Sequence, residues 1–146
     1  MKFNLIVDEN QEPSVTVVCN RVTSVVEKIE RLCKELDDGT ELIYGYSGDE
    51  VTPLELALVD CFFTKDGKVF AISEGAEYAT RLRIKQVVGM VDDSFIKVNQ
   101  GCVINVRSIQ KFAVSIGGAL KVVLKNGFSD YVARREVKNV KRRLGL

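Results

Sequence analysis

The apolar residues of this chain change their spacing near residue 40, and the change divides the sequence into two parts. Between residues 22 and 36, apolar side chains recur every three or four positions, with charged side chains between them. That period is typical of an amphipathic helix. After residue 40, short apolar runs alternate with turn signals every 8–12 residues. Such spacing is typical of short strands, so the second part is predicted to be mainly β.

The first part, residues 1–40, is predicted to be a small α+β segment of order β-β-α. Residues 2–7 show an alternating pattern and residues 15–19 are rich in β-branched side chains, and both features favour strands. The helix over 22–36 follows, with Gly39 as its candidate C-cap. A segment of about 40 residues is marginal as an independent domain, so we expect it to pack on the rest of the chain or on a second copy.

The second part, residues 41–146, contains the elements of a mostly β domain. The four residues Lys65-Asp66-Gly67-Lys68 carry a hairpin signal of the Asp-Gly type. Helical spacing predicts a short helix over 84–91 and a basic helix over 134–144. The predicted strands cover residues 41–46, 56–63, 69–73, 77–81, 95–98, 102–106, 109–116, 120–125 and 129–132.

The formal net charge of +1 hides an asymmetry between two stretches of the chain. Residues 1–50 contain 5 basic and 11 acidic side chains, whereas residues 51–146 contain 16 basic and 9 acidic ones. An acidic front and a basic back indicate different roles for the two stretches. A basic stretch is suited to a polyanionic partner, although charge runs are also common on plain solvated faces.

The sequence contains no His, which removes the catalytic triads, Cys-His pairs and imidazole bases of many enzymes. It also contains no glycine-rich phosphate loop of the G-x-G-x-x-G or G-x-x-x-x-G-K-[ST] type. The acidic pairs Asp37-Asp38 and Asp92-Asp93 stand at predicted helix ends, where solvated turn residues are common. We therefore expect no catalytic site, no cofactor and no metal.

The four cysteines are Cys19, Cys33, Cys61 and Cys102, and no two of them form a C-x-x-C pair. Zinc knuckles and thioredoxin-like motifs are thereby excluded, and four buried small hydrophobes are predicted. The N-terminus reaches Asp8 too soon for a signal peptide, and no apolar run approaches the ~20 residues of a membrane span. These features predict a cytoplasmic, reduced protein.

Three sequence blocks near the C-terminus occur in a characteristic order. They are DDSFIKVNQGCVINVRSI at residues 92–109, LKNG at 124–127 and YVARREVKNVK at 131–141. In this order and spacing they resemble the LytTR family of bacterial DNA-binding domains. Residues 58–63 match an upstream strand of that family, so the resemblance covers roughly residues 42–146.

The resemblance implies a fold of stacked short β-sheets with short helices, which reads the major groove of double-stranded DNA through loops rather than a recognition helix. Three places would carry the contacts: the 65–68 hairpin, the 99–101 break and the head of the last helix. The candidate DNA-binding residues are Lys65, Asp66, Lys68, Lys97, Asn99, Gln100, Arg134, Arg135 and Lys138.

The residue types at these places fit such roles, but each place also has a purely structural interpretation. Asn or Gln can pair bidentately with adenine and Arg with guanine, whereas Lys neutralises phosphates. In the structural interpretation, 65–68 is a solvated hairpin tip, 99–101 is a plain turn, and Arg134 and Arg135 complement nearby acids. Asn105 lies in an apolar run and is predicted to be a structural amide rather than a base reader.

The front segment also separates this chain from many members of the family. Many LytTR proteins carry a receiver domain of about 120 residues before the DNA-binding part, and residues 1–40 are too few for one, so we expect no control by phosphorylation. Small LytTR proteins of this layout belong to two-gene systems whose other product is a membrane protein that restrains the regulator. We expect residues 1–40 to serve self-association or contact with such an inhibitory membrane-protein partner.

The leading hypothesis is a sequence-specific, non-enzymatic transcription regulator that binds repeated DNA sites as a homodimer and has no small-molecule substrate. The alternative is a protein–protein interaction module whose basic C-terminal face meets an acidic partner. An enzyme has the least support, because no set of residues supplies a base, a nucleophile and an oxyanion donor together.

Overall fold

The computed structural model describes residues 2–38 and 42–146, and the chain divides into the units Met1–Thr40 and Glu41–Leu146. In the first unit, helix α1 covers Ser24–Asp38, in agreement with its apolar period. The candidate C-cap Gly39 lies outside the described residues. No helix of the described residues is long and apolar enough to cross a membrane.

The two strands predicted at 2–7 and 15–19 are wrong, since no strand occurs within residues 2–38. Both segments carry exposed apolar side chains: Phe3 is 87% exposed and Val18 is 94% exposed. A strand requires a hydrogen-bonded neighbour, and alternation of side chains reports only which faces a strand would have. The regular part of the front segment is therefore the helix alone, and not a β-β-α unit.

The second unit contains ten strands in two antiparallel sheets. The strands of the larger sheet are β1 Leu42–Ser47, β2 Glu50–Glu55, β3 Val59–Lys65, β4 Lys68–Ser73, β5 Ala76–Ala79, β6 Phe95–Asn99 and β7 Cys102–Asn105. They are arranged in the order β2-β1-β5-β4-β3-β7-β6. The smaller sheet consists of β8 Ile109–Val114, β9 Leu120–Leu124 and β10 Ser129–Tyr131, in the order β10-β9-β8.

Two helices complete the second unit, α2 at Ile84–Met90 and α3 at Arg134–Leu144. The sequence predicts both helices, and the observed bounds of α3 equal the predicted range 134–144. Gly145 follows α3 with φ of 71°, a left-handed conformation that glycine adopts without strain and that is typical of a helix C-terminus.

Strand β2 is not predicted by the sequence, because Pro53 lies within it and proline cannot donate to a β-ladder. The strand is nevertheless the outermost one of the larger sheet, where one side of the backbone needs no partner and proline is tolerated. The strand predicted at 56–63 begins later than expected, at Val59, because Leu56–Leu58 form a 3₁₀ turn.

Two apolar clusters cover opposite faces of the larger sheet, since adjacent residues of a strand point to opposite sides. On one face, Phe62 packs with Val87 of α2. On the other, Ile104 packs with Leu124 of the smaller sheet and with Val140 of α3. All five side chains are buried. The prediction of a mainly β fold with stacked short sheets and short helices is thus confirmed.

Asn105 fixes the end of β7 through a fully used side-chain amide. Its Nδ2 donates to the carbonyl oxygens of Ala57 and Val59 at 3.2 and 3.1 Å, and its Oδ1 accepts from the Arg107 N–H at 3.0 Å. The residue is buried and its polar atoms all have partners. This confirms the prediction that Asn105 is a structural amide.

Candidate nucleic-acid interface

The tip of the β3–β4 hairpin is a two-residue turn formed by Asp66 and Gly67. Lys65 pairs with Lys68 across the turn. Asp66 has φ of 52° and Gly67 has φ of 73°, both in the left-handed region. Two such residues in succession are typical of a type I′ turn, which explains the Asp-Gly sequence. All four residues are exposed, so the hairpin presents two lysines at its end.

The β6–β7 turn is stabilised from within by Asn99. The Asn99 Oδ1 accepts from the Gly101 N–H at 2.9 Å, and the Asn99 Nδ2 donates to the Tyr131 carbonyl oxygen at 2.9 Å. Gln100, beside it, is exposed, and its amide makes no hydrogen bond to any described residue. Of the two predicted amides, Asn99 holds the turn together and Gln100 is the one that faces solvent.

The β6–β7 turn is also joined directly to the strand that leads into the first hairpin tip. The Thr64 N–H donates to the Gly101 carbonyl oxygen at 2.8 Å. A Cβ atom at Gly101 would lie 3.3 Å from the Cβ and Oγ1 atoms of Thr64, tighter than an ordinary contact. The glycine therefore permits the close approach that places the two turns side by side.

Helix α3 is attached to β6 near both of its ends. At its head, the N–H of the N-cap residue Ala133 donates to the Val98 carbonyl oxygen at 2.8 Å. Near its other end, the Arg143 guanidinium donates to the carbonyl oxygens of Asp93 and Phe95 at 3.0 and 2.9 Å. The first turn of α3 is consequently fixed beside the β6–β7 turn.

These hydrogen bonds bring the three predicted places together at one edge of the second unit. The exposed side chains there are those of Lys65, Lys68, Gln100, Arg134, Arg135 and Lys138, and Lys97 is partly exposed. Within the parts of the chain that the structure describes, none of the basic ones forms a salt bridge. Their charge is therefore available to an anionic partner.

The acids near the head of α3 do not neutralise its arginines. The Asp130 Oδ1 accepts from the Tyr131 N–H at 2.8 Å. Neither Asp130 nor Glu136 forms an ion pair with Arg134 or Arg135 among the described residues. The structural interpretation of the two arginines as partners of nearby acids is thus not observed.

A groove of about 450 Å³ next to the β6–β7 turn belongs to the same surface. Its lining residues are Ile84, Lys85, Val88, Lys97 and Gln100. The sequence predicts Lys97 and Gln100 as site residues but does not predict Lys85. Lys85 approaches the turn because α2 packs on the larger sheet, and no sequence spacing reports that tertiary contact.

The cysteines do not offer reactive groups in the second unit. Burial raises the pKa of the Cys61 thiol to about 12, with a smaller contribution from the charge of Asp60. Burial likewise raises the pKa of Cys102. Both are inert small hydrophobes, as predicted. Cys19 is exposed and Cys33 is partly exposed, so the prediction of burial is wrong for them.

The prediction that Cys19 is buried depended on a strand over residues 15–19, and that strand does not form. Among the described residues, no group of three or more Cys, Asp or Glu side chains is placed to hold a metal ion. The functional groups exposed at the candidate interface are the cationic side chains and the Gln100 amide.

Comparison with solved structures identifies a similar fold. A LytTr DNA-binding domain from Bacillus cereus matches with a TM-score of 0.67 and 18% sequence identity. The match covers 74% of this chain and 100% of that domain. At this level of identity the likeness concerns the fold.

Sequence comparison finds full-length relatives in Staphylococcus aureus. Uncharacterized HTH-type transcriptional regulators from the strains bovine RF122 / ET3-1 and NCTC 8325 / PS 47 are each 24% identical to this chain over 147 residues. Each alignment covers 100% of this chain and 99% of the relative.

The family model described as the LytTr DNA-binding domain matches residues 49–145, which include both sheets from β2 onward and helices α2 and α3. The matched part contains the three loops at the exposed basic edge and also Asn99, whose amide stabilises the β6–β7 turn. With a family model that covers well over half of the sequence, the chain belongs to the LytTr DNA-binding domain family.

Proposed function

We propose that this chain is a transcription regulator that binds double-stranded DNA sequence-specifically through three loops of the second unit. The observation that carries the proposal is the hydrogen-bonded contact of the three loops. Gly101 is bonded to Thr64 at the base of the hairpin tip, and Asn99 is bonded to Tyr131 just before α3. A single edge with exposed cations and an exposed amide supplies both kinds of contact that specific DNA binding requires.

The roles that we propose for the residues of the three loops follow from their side-chain chemistry, exposure and hydrogen bonding. Gln100 and Arg135 are the proposed base readers, because an amide can pair bidentately with adenine and a guanidinium with guanine, and both side chains are exposed. Asn99 is a positioning residue, since its amide is already bonded at both ends. The phosphate contacts come from Lys65, Lys68, Lys97, Arg134 and Lys138, while Asp66 shapes the hairpin turn.

Recognition by loops also suits the arrangement of the helices. The Staphylococcus aureus relatives are named HTH-type regulators, but in this chain five strands separate α1 from α2 and five more separate α2 from α3. No two of the helices in the described residues follow each other directly, so none of them forms a helix-turn-helix pair. The proposal therefore assigns base reading to turns and to the head of α3.

Residues 1–40 are proposed to mediate association, either with a second copy or with an inhibitory membrane protein. Within residues 2–34 not one side chain is buried, and the exposed ones include Phe3, Leu5 and Leu32. Apolar side chains that are exposed at these described positions would become buried on meeting a partner, which is favourable. Self-association would suit repeated DNA half-sites, which a two-fold symmetric homodimer reads.

DNA binding is tested by gel shift on the DNA upstream of the chain's own gene and on random-sequence DNA of equal length, at two salt concentrations. We expect a preference for the upstream DNA and a steep loss of affinity with salt. Equal affinity for both DNAs at both concentrations would refute sequence-specific binding. A stable complex with an acidic protein in place of DNA would support the interaction-module alternative instead.

The association role is tested by comparing the full chain with a fragment that begins at residue 42. Among the residues whose burial the structure describes, all the buried hydrophobic ones lie in the second unit, so the fragment keeps both core clusters. We expect the fragment to lose self-association in analytical ultracentrifugation while its intrinsic contacts to a single half-site remain. A fragment with the oligomeric state and operator affinity of the full chain would contradict the role.

A further inference from the structure

The β6–β7 turn lies between two helices that occupy opposite faces of the larger sheet. Along β6, Phe95 belongs to the cluster that contains α2, whereas Ile96 belongs to the cluster that contains α3. Lys97, two residues after Phe95, lies on the α2 side by the alternation of a strand, and it lines the groove with Lys85 of α2. The turn that carries Gln100 therefore has a helix on each side.

A turn that enters the major groove of DNA must pass between two phosphate backbones. The groove is about 12 Å wide, so side chains on both sides of the inserted turn come within reach of phosphates. On the α3 side, Arg134 and Lys138 supply the cations for one backbone. On the α2 side, the three loops provide no equivalent set of cations. The phosphate backbone of the DNA on that side would instead meet the protein groove lined by Lys85 and Lys97.

The lining of that groove fits a phosphodiester. Its two charged side chains are Lys85 and Lys97, and its other walls are Ile84, Val88 and the Gln100 amide. Neither lysine forms a salt bridge with a described residue, and no acid lines the groove. The apolar side chains of Ile84 and Val88 can support the lysine stems while the ammonium groups stay in solvent, where a phosphate can reach them.

We propose that Lys85 and Lys97 hold a phosphate of the DNA strand that passes on the α2 side of the β6–β7 turn. The inference rests on the proposed DNA-binding function and adds to it a contact outside the three loops. Lys85 neutralises charge and reads no base, so its loss weakens binding to all DNA sequences by the same factor. Of the two DNA strands on either side of the inserted turn, one is thereby assigned to contacts near α2 and the other to contacts from α3.

The test uses the full chain and a duplex site selected by the wild-type chain from a random pool. Affinity is measured for this site and for random DNA between 50 and 200 mM salt, for the wild type, Lys85→Ala and the matched control Lys111→Ala. Lys111 is an exposed lysine of β8, in the smaller sheet. Circular dichroism confirms that each exposed-lysine variant is folded.

We expect Lys85→Ala to lower affinity for both DNAs equally and to reduce the salt slope by about 0.9, the value for one phosphate contact. Over this fourfold salt range the wild type would lose about three to four times more affinity than Lys85→Ala. Lys111→Ala should keep the wild-type slope. A duplex whose contacted phosphate on the α2-side strand is replaced by a methylphosphonate should weaken the wild type more than Lys85→Ala, which keeps only the Lys97 contact.

Two results overturn the inference, and a third concerns the proposed function. A Lys85→Ala slope equal to that of the wild type, with preference for the selected site intact, overturns the phosphate contact alone. Competition by inorganic phosphate at constant ionic strength, seen in the wild type and absent in Lys85→Ala while the DNA slope is unchanged, assigns the groove to a free anion instead. A wild-type chain without preference for the selected site refutes the proposed function itself.

Discussion

Residues 2–38 and residues 42–146 both contain alternating apolar segments, but only the second region turns them into a sheet. In the second region every such segment finds an antiparallel neighbour, as β3 does with β4 and β7. In the first region, segments 2–7 and 15–19 find none, and their side chains stay exposed. The difference shows that an alternating pattern forms a strand only where the chain also supplies a neighbouring strand for hydrogen bonding.

The same contrast separates the roles that we assign to the two regions. The second region is rigid enough to place Gln100 and Arg135, because its turns are joined by hydrogen bonds of 2.8–2.9 Å. In the first region, no side chain of residues 2–34 is buried, and apolar side chains such as Phe3 and Leu32 are exposed. Fixed geometry suits the reading of bases, whereas unburied apolar surface suits association.

The largest expected difference between the regions is in the cost of removing an apolar side chain. Phe62 is 0% exposed in the first core cluster, whereas Val18 is 94% exposed. We expect Phe62→Ala to lower the free energy of unfolding by about 3–5 kcal/mol and Val18→Ala to change it by less than about 0.5 kcal/mol. Urea denaturation at low protein concentration measures both.

Equal costs for the two substitutions would break the comparison. A large cost at Val18 would mean that the first region has a core of its own. A small cost at Phe62 would contradict the packing of the larger sheet against α2.

A smaller effect is expected from the loss of a buried amide. Asn105→Ala leaves the Ala57 and Val59 carbonyl oxygens without their donor, which should lower the free energy of unfolding by about 1–3 kcal/mol. The control is Asn10→Ala in the first region, where the side chain is exposed and the change should stay below about 0.5 kcal/mol. If urea denaturation gives Asn105→Ala the stability of the wild type, the amide is not needed to close the β7 end.

The smallest effect near neutral pH concerns the thiols, and it appears only in alkaline solution. Burial raises the pKa of Cys61 from 9.0 to about 12 in the folded chain. The contribution of the neutral thiol is therefore fully present below pH 9 and is lost as the pH rises toward 12. We expect the unfolding free energy of the wild type to fall more steeply above pH 9 than that of Cys61→Ala.

The matched control for this pH dependence is Cys19→Ala, because Cys19 is exposed in the first region. Its pH profile should follow that of the wild type in the same urea titrations. Identical profiles for all three proteins would show that burial of Cys61 does not affect alkaline stability.

Much of the second unit is predictable from sequence because its signals are local. The Asp66-Gly67 pair specifies a type I′ turn by backbone conformation alone, and the 134–144 period specifies α3 to the residue. Strand β2 is not predictable in this way, because Pro53 is acceptable only at an edge and the edge is a property of the whole sheet.

The sequence predicts three loops as the candidate site, and the structure adds which of their side chains are already hydrogen-bonded. Asn99 and Gln100 are chemically alike and adjacent, and only the Asn99 bonds to Gly101 and Tyr131 reveal which amide is occupied. Lys85 has no local signal at all, since it reaches the turn through the packing of α2. Partners across the fold decide such roles, and the sequence does not show those partners.

The most direct test of the proposal that the three loops read bases is a binding measurement with Arg135→Ala and Gln100→Ala. Both variants and the wild type are titrated onto the selected site and onto a scrambled site of the same composition at one salt concentration. We expect the wild type to prefer the selected site by at least about 10³-fold, and each substitution to remove about 1–3 kcal/mol of that preference. A preference that both variants retain in full would contradict base reading by this edge.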